Sequence, residues 1–123
     1  MSIFLDVEKS IGIFANNSLK IAEKRKAALY PLINLLKDNG QHQPITLVFI
    51  CTHNSRRSHL CQAICHGLAR YFNWNELFSF SGGTEVTAVY PSTLEALRKL
   101  GFSITTLKSG DNPIYQACLF YTS

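Results

Sequence analysis

Between Pro44 and Cys51 the chain carries an almost unbroken apolar run, Ile45, Leu47, Val48, Phe49 and Ile50. Its β-branched and aromatic content, apolar on both faces, predicts a buried strand of a parallel sheet. The period then changes. Leu60, Ile64, Leu68 and Phe72 recur every four residues, with Cys61 and Cys65 beside them, which predicts an amphipathic helix beginning near Ser58. Asn73, Trp74 and Asn75 fill a connection to a second strand near Leu77 to Phe80. Pro91 to Gly101 predicts another helix, with Ser92 as N-cap, Glu95 completing a capping box and Gly101 ending it. Residues 103–121 read as two strands around Ser109-Gly110-Asp111-Asn112-Pro113, a hairpin. Upstream, Ile21, Ala28, Leu32, Leu35 and Leu36 form a helical apolar stripe closed by Asn39-Gly40. Pro31 interrupts that stripe and predicts a kink or two consecutive helices.

The loop between the first strand and its helix holds the chemistry. Cys51-Thr52-His53-Asn54-Ser55-Arg56-Arg57-Ser58 places a thiol, five intervening residues, an arginine and a serine at a helix N-terminus. Unpaired N–H groups and the helix dipole favour an anion there. The small polar residues suit a tight cradle, and Asn54 tolerates the left-handed backbone that a cradle needs. Arg57 offers a planar fork for two phosphate oxygens. The same amides and guanidinium are expected to depress the pKa of Cys51, with Ser58 donating a hydrogen bond to the sulfur. The implied chemistry is attack by Cys51 on phosphorus and hydrolysis of the resulting cysteinyl-phosphate.

Length and composition bound the rest. A chain of 123 residues, 46% hydrophobic, suits one domain with its own core. No apolar run approaches the roughly 18 residues that a bilayer span needs. Met1 to Ser10 carries Asp6 and Glu8 and lacks a basic start, so it does not read as a signal peptide. Four cysteines at scattered positions fit a reducing cytoplasm better than a disulfide framework. Cys61, Cys65 and the neighbouring His66 lack zinc-site spacing and are expected to pack in the core. The net charge is +4, with Lys20, Lys24, Arg25 and Lys26 clustered ahead of the first strand. Glu23 among them and the helical period point to a solvated face rather than to nucleic acid. The positive potential would help to attract an anionic substrate.

The segment ITLVFICTHNSRRSHL resembles the phosphate-binding loop of the low-molecular-weight protein tyrosine phosphatases. It is closer still to the related arsenate reductases, in which a Cys-Thr-(Gly or His)-Asn-Ser start is common. Ser81-Gly82-Gly83-Thr84-Glu85 is similar to the Ser-Ala-Gly-Thr that ends the family's second strand, and PSTLEALRKLG (Pro91 to Gly101) resembles the helix after it. The resemblance covers roughly Ile45 to Ile104. It implies an α/β fold, a three-layer Rossmann-like parallel sheet of the low-molecular-weight phosphatase type. Residues 1–43 would be an added N-terminal helical extension, and 44–123 the N-terminal half of the phosphatase-like domain with a C-terminal hairpin. It also implies Cys51 as nucleophile, Arg57 as phosphate clamp, Ser58 as thiolate partner and Asn54 as the loop-shaping residue. Thr52, His53, Ser55 and Arg56 would complete the substrate-binding loop, His53 and Ser55 mainly through backbone N–H groups.

The function implied is phosphomonoester hydrolysis of the protein tyrosine phosphate type. Arsenate reduction is an alternative, and a non-catalytic oxyanion-binding module is another. The expected partner is a phosphorylated protein or a small phosphate or arsenate substrate. No cofactor, metal, nucleic acid or membrane is expected.

The departures are specific. Arg56 stands where these phosphatases usually carry a second cysteine. The family's general acid is an aspartate near the far end of the domain, often followed by proline, and the chain stops at Ser123 before that region arrives. Asp111-Asn112-Pro113 comes too early and reads as a turn. A three-thiol relay lacks its cysteines, since only Cys118 lies downstream. The first strand would also miss one sheet neighbour, leaving an edge for the hairpin strand Tyr115 to Tyr121 or a second copy to pair. A truncated family member is the expectation that joins the missing acid and the missing strands.

Overall fold

The computed structural model describes residues 4–39, 43–53, 56–85 and 87–118. Its elements in chain order are helix α1 (Leu5–Asn16), a 3₁₀ turn (Ser18–Lys20), helix α2 (Glu23–Asn39) and strand β1 (Ile45–Cys51). Helix α3 (Arg57–Tyr71), strand β2 (Leu77–Gly83), helix α4 (Pro91–Lys99) and strands β3 (Ser103–Lys108) and β4 (Ile114–Cys118) follow. The fold is α/β. β1, α3 and β2 make a βαβ unit whose strands pair in parallel, from Ile45 opposite Leu77 to Cys51 opposite Gly83. β3 and β4 form a separate antiparallel hairpin, with a register irregularity between Thr106 and Lys108. Asp111, Asn112 and Pro113 lie in its connection.

α3 is the central element. One face, through Cys65 and Ala69, packs with Ile45, Leu47, Leu77 and Trp74 against the parallel strands. Another face, through Leu60, Ala63, Ile64 and Leu68, meets Val7 and Ile11 of α1 and Leu97 and Phe102 around α4. Val7 and Ile11 are 0% exposed, and full burial of such side chains stabilises by roughly 1.5–3 kcal/mol each. Gly67 permits the close approach: a Cβ there would lie 2.8 Å from Ile11 Cδ1.

Turn chemistry sets the helix ends. After α4, the Gly101 N–H bonds the Arg98 carbonyl and the Phe102 N–H bonds the Leu97 carbonyl. That is a Schellman motif, with Phe102 packed on Leu97. Gly101 has φ +104°, and a Cβ on it would lie 2.6 Å from the Val7 backbone nitrogen, so glycine is required twice over. α3 ends in the same way, with Asn73 at φ +58° and Trp74 N–H bonded to the Ala69 carbonyl.

Several expectations are corrected. β1 is not buried on both faces: it alternates, and Val48 and Ile50 are exposed, as are Phe78 and Phe80 on the same face of β2. Burial depends on a covering layer, and among the described residues α3 covers one face only. The hairpin does not extend the parallel sheet among the described residues. Ser92 is not the cap of α4. The helix starts two residues earlier, with Tyr90 as N-cap and Pro91 at the first position, where its fixed φ is preformed and its missing N–H costs nothing. Glu95 pairs instead with Arg98 at 2.7 Å. α2 runs through Pro31 as one helix rather than two. Of its stripe, Leu36 reaches a core cluster, whereas Ile21 precedes the helix and Leu35 is exposed. Phe72 caps α3 and is exposed, and Cys61 is exposed rather than core-packed. The stop signal at Gly40 and the stretch from Leu119 to Tyr121 lie outside the described residues.

Candidate functional site

β1 delivers Cys51 to its last position, opposite Gly83, and the chain enters α3 at Arg57. Ser58 in the first turn of α3 is 2% exposed. Its Oγ lies 3.1 Å from Cys51 Sγ, where the thiol donates to the hydroxyl. The sulfur is half-buried. The strand and helix thus bring together the two groups that the sequence pairs across seven positions.

The loop is fastened to the end of β2. The Thr52 carbonyl accepts from the Thr84 N–H at 2.9 Å, the Glu85 N–H at 3.0 Å and the Thr84 hydroxyl at 3.2 Å. His53 Nδ1 lies 3.1 Å from Glu85 Oε2 on the exposed rim. Asn54 and Ser55 lie outside the described residues, so the cradle expected of them has no structural description here. Arg56 sits at the N-cap of α3, its carbonyl accepting from the Leu60 N–H. Its guanidinium carbon stands 4.1 Å from the centroid of the Tyr90 ring, a cation–π stack. Arg57 is exposed at the first helical position.

The electrostatics are unusual for a helix start. The first turn of α3 holds no acidic residue, and its N-cap and first helical residue are both arginines. Cations there are unfavourable by typically ~0.3–1 kcal/mol each. The ion pairs nearest in sequence, His53–Glu85 and Glu95–Arg98, engage neither Arg56 nor Arg57.

Three residues that sequence reasoning did not assign to the site take part in it: Thr84, Glu85 and Tyr90. The first two follow the Gly82-Gly83 end of β2, and the parallel register that sets Cys51 opposite Gly83 places them beside the loop. Tyr90 carries no local signal beyond preceding Pro91. Ser81 Oγ, further back on β2, lies 3.2 Å from His59 Nδ1. Behind them a cavity of about 560 Å³ opens between α3, β2, α4 and the hairpin, lined by His59, Gln62, His66, Ser79 and Thr93 among others. Burial lowers the pKa of His66, and the charge of Arg70 adds to that. Burial raises the Cys65 thiol, a Ser79 hydrogen bond opposes the rise and Cys61 adds to it.

No cluster of three or more metal-ligating side chains occurs among the described residues. No helix among them is long and apolar enough to cross a membrane. No protein-family model matches the chain, no curated protein matches its sequence, and no solved structure matches its fold.

Proposed function

We propose that the chain is a phosphomonoester hydrolase of the low-molecular-weight tyrosine phosphatase type, acting through Cys51. The observation that carries this reading is the contact of Cys51 Sγ with the buried Ser58 hydroxyl, 3.1 Å apart at the cation-bearing start of α3. Ser58 can rotate its proton toward a thiolate, and Arg57 and the helix terminus favour the negative charge that both the thiolate and the phosphoryl group bring.

In the proposed reaction the Cys51 thiolate attacks phosphorus. The S–P bond forms as the P–O bond to the leaving group breaks, and the leaving oxygen departs with the bonding pair. Water then attacks the cysteinyl-phosphate, giving inorganic phosphate, a proton to solvent and the regenerated thiolate. An aryl leaving group of low basicity departs as its anion and needs no acid. Sheet and helix supply the position; Arg57 supplies the fork on the transferring oxygens.

The test is hydrolysis of p-nitrophenyl phosphate by the full chain and by Cys51→Ser. The expected outcome is slow turnover that the substitution abolishes, with a phosphorylated protein trapped by acid quench of the unsubstituted chain. Hydrolysis that survives Cys51→Ser removes Cys51 from the mechanism. Arsenate-dependent thiol oxidation without phosphate ester hydrolysis would replace this reading with arsenate reduction.

A further inference from the structure

Arg56 is the residue of the loop that the proposed chemistry leaves without a task. The phosphate fork belongs to Arg57, and Arg56 is turned onto Tyr90. The platform under it is fixed. Tyr90 is the N-cap of α4, followed by Pro91, and its carbonyl accepts from the Thr93 N–H at 2.9 Å. A guanidinium stacked on a ring has one face covered, while its N–H donors still point outward in the plane. That edge matches a carboxylate in a two-bond fork. Arg56 is exposed and has no ion-pair partner among the described residues. Glu85, across the loop, is held by His53 instead. The result is a preoriented, solvent-facing cation next to the helix terminus where the phosphoryl group would sit. Arg56 directly precedes Arg57, and consecutive Cα atoms are about 3.8 Å apart, so it stands beside the residue that would hold the phosphoryl group.

We propose that Arg56, held on Tyr90, is a specificity-determining residue that selects phosphopeptides carrying an acidic side chain beside the phosphorylated residue. The inference rests on the oxyanion-site reading of the Cys51 loop and adds to it a substrate class. Recognition is divided: Arg57 takes the phosphoryl oxygens and Arg56 takes the flanking carboxylate. Because the stack orients the guanidinium before binding, less freedom is lost when the carboxylate arrives.

The experiment uses the full chain with Cys51→Ser as a non-hydrolysing trap. Two fluorescent phosphotyrosine peptides are compared by anisotropy, identical except that the residues flanking phosphotyrosine are Glu in one and Gln in the other. The Glu peptide is expected to bind about fivefold tighter or more at low salt, with the ratio shrinking as salt rises. Arg56→Gln is expected to bring the ratio to about one, the loss falling on the Glu peptide. Tyr90→Leu is expected to reduce the ratio without removing the charge. Equal affinity for the two peptides overturns the inference, as does an Arg56→Gln variant that weakens both peptides alike, which would place Arg56 in the phosphoryl grip or in the fold. Inorganic phosphate binding to the unsubstituted chain, followed by thermal shift, separates the two levels. Phosphate binding with undiscriminated peptides overturns this inference alone, and no phosphate binding brings down the oxyanion site itself and this inference with it.

Discussion

Ser58 meets the Cys51 sulfur directly. A hydroxyl that is 2% exposed and 3.1 Å from a sulfur cannot be replaced by water when it is removed. Hydrogen bonds to a charged partner are worth ~1.5–3 kcal/mol. Ser58→Ala is therefore expected to slow iodoacetamide alkylation of Cys51 by about tenfold or more on the acid side of the thiol's titration, because each 1.4 kcal/mol is a factor of ten. The rate is read by mass spectrometry of the Cys51 peptide. The other thiols give an internal scale. Cys65, pushed up by burial, stays protonated and is expected to alkylate more slowly than Cys51 in the same digest. An unchanged Cys51 rate in Ser58→Ala would remove Ser58 as the thiolate's partner. The pairing of these two residues was legible in the sequence because it needs only a strand, a short loop and a helix start. The stack of Arg56 on Tyr90 was not, since 33 intervening residues separate the pair and only tertiary structure brings them together.

At the scale of elements, the α1–α3 contact decides whether the core closes. Gly67 is mid-helix, where alanine would ordinarily be favoured by about 1 kcal/mol. Here an added methyl would lie 2.8 Å from Ile11 Cδ1 and 3.0 Å from Ile11 Cγ1. Ile11 is 0% exposed and packed among Val7, Leu97 and Phe102, so it has no empty rotamer to enter. Gly67→Ala is expected to lower stability by ~1–3 kcal/mol despite its better helix propensity. Adding Ile11→Val, which deletes the δ carbon, should recover part of that loss, a non-additivity that urea denaturation of the single and double variants would show. If Gly67→Ala is as stable as the parent, the helices do not approach this closely. The α1 signal was faint in the sequence for a physical reason. Its buried positions, Val7 and Ile11, are a single i,i+4 pair, and the position before the helix is Phe4, which makes no side-chain cap. α3 and α4 were plainer, because a sustained four-residue period marks the one and Pro at the start with Gly after the end marks the other.

The molecule as a whole is organised around α3, with a hydrophobic cluster on each of two faces and the thiol loop at its N-terminus. That layout explains what sequence could and could not say about the sheet. The composition of Ile45 to Ile50 states that the strand tolerates burial on both sides; it does not state that a second layer is there. Ile50 is 67% exposed because nothing described covers that face. A second whole-molecule property follows from His66, which lines the cavity between α3 and the hairpin. Burial, and then the charge of Arg70, lowers its pKa from the ordinary 6.5. The unfolded chain therefore binds this proton at a higher pH than the folded one. Between the two pKa values the unfolded state holds more protons, so stability rises with pH there and is lost as pH falls below 6.5. The melting temperature is expected to drop on acidification from about pH 7.5 to about pH 5.5, with His66→Gln showing a shallower slope over the same window. The comparison of slopes is what isolates His66, since the carboxylates titrate equally in both proteins. Identical slopes in the two proteins would mean that His66 is solvated in the folded chain and that the cavity admits water freely to its ring.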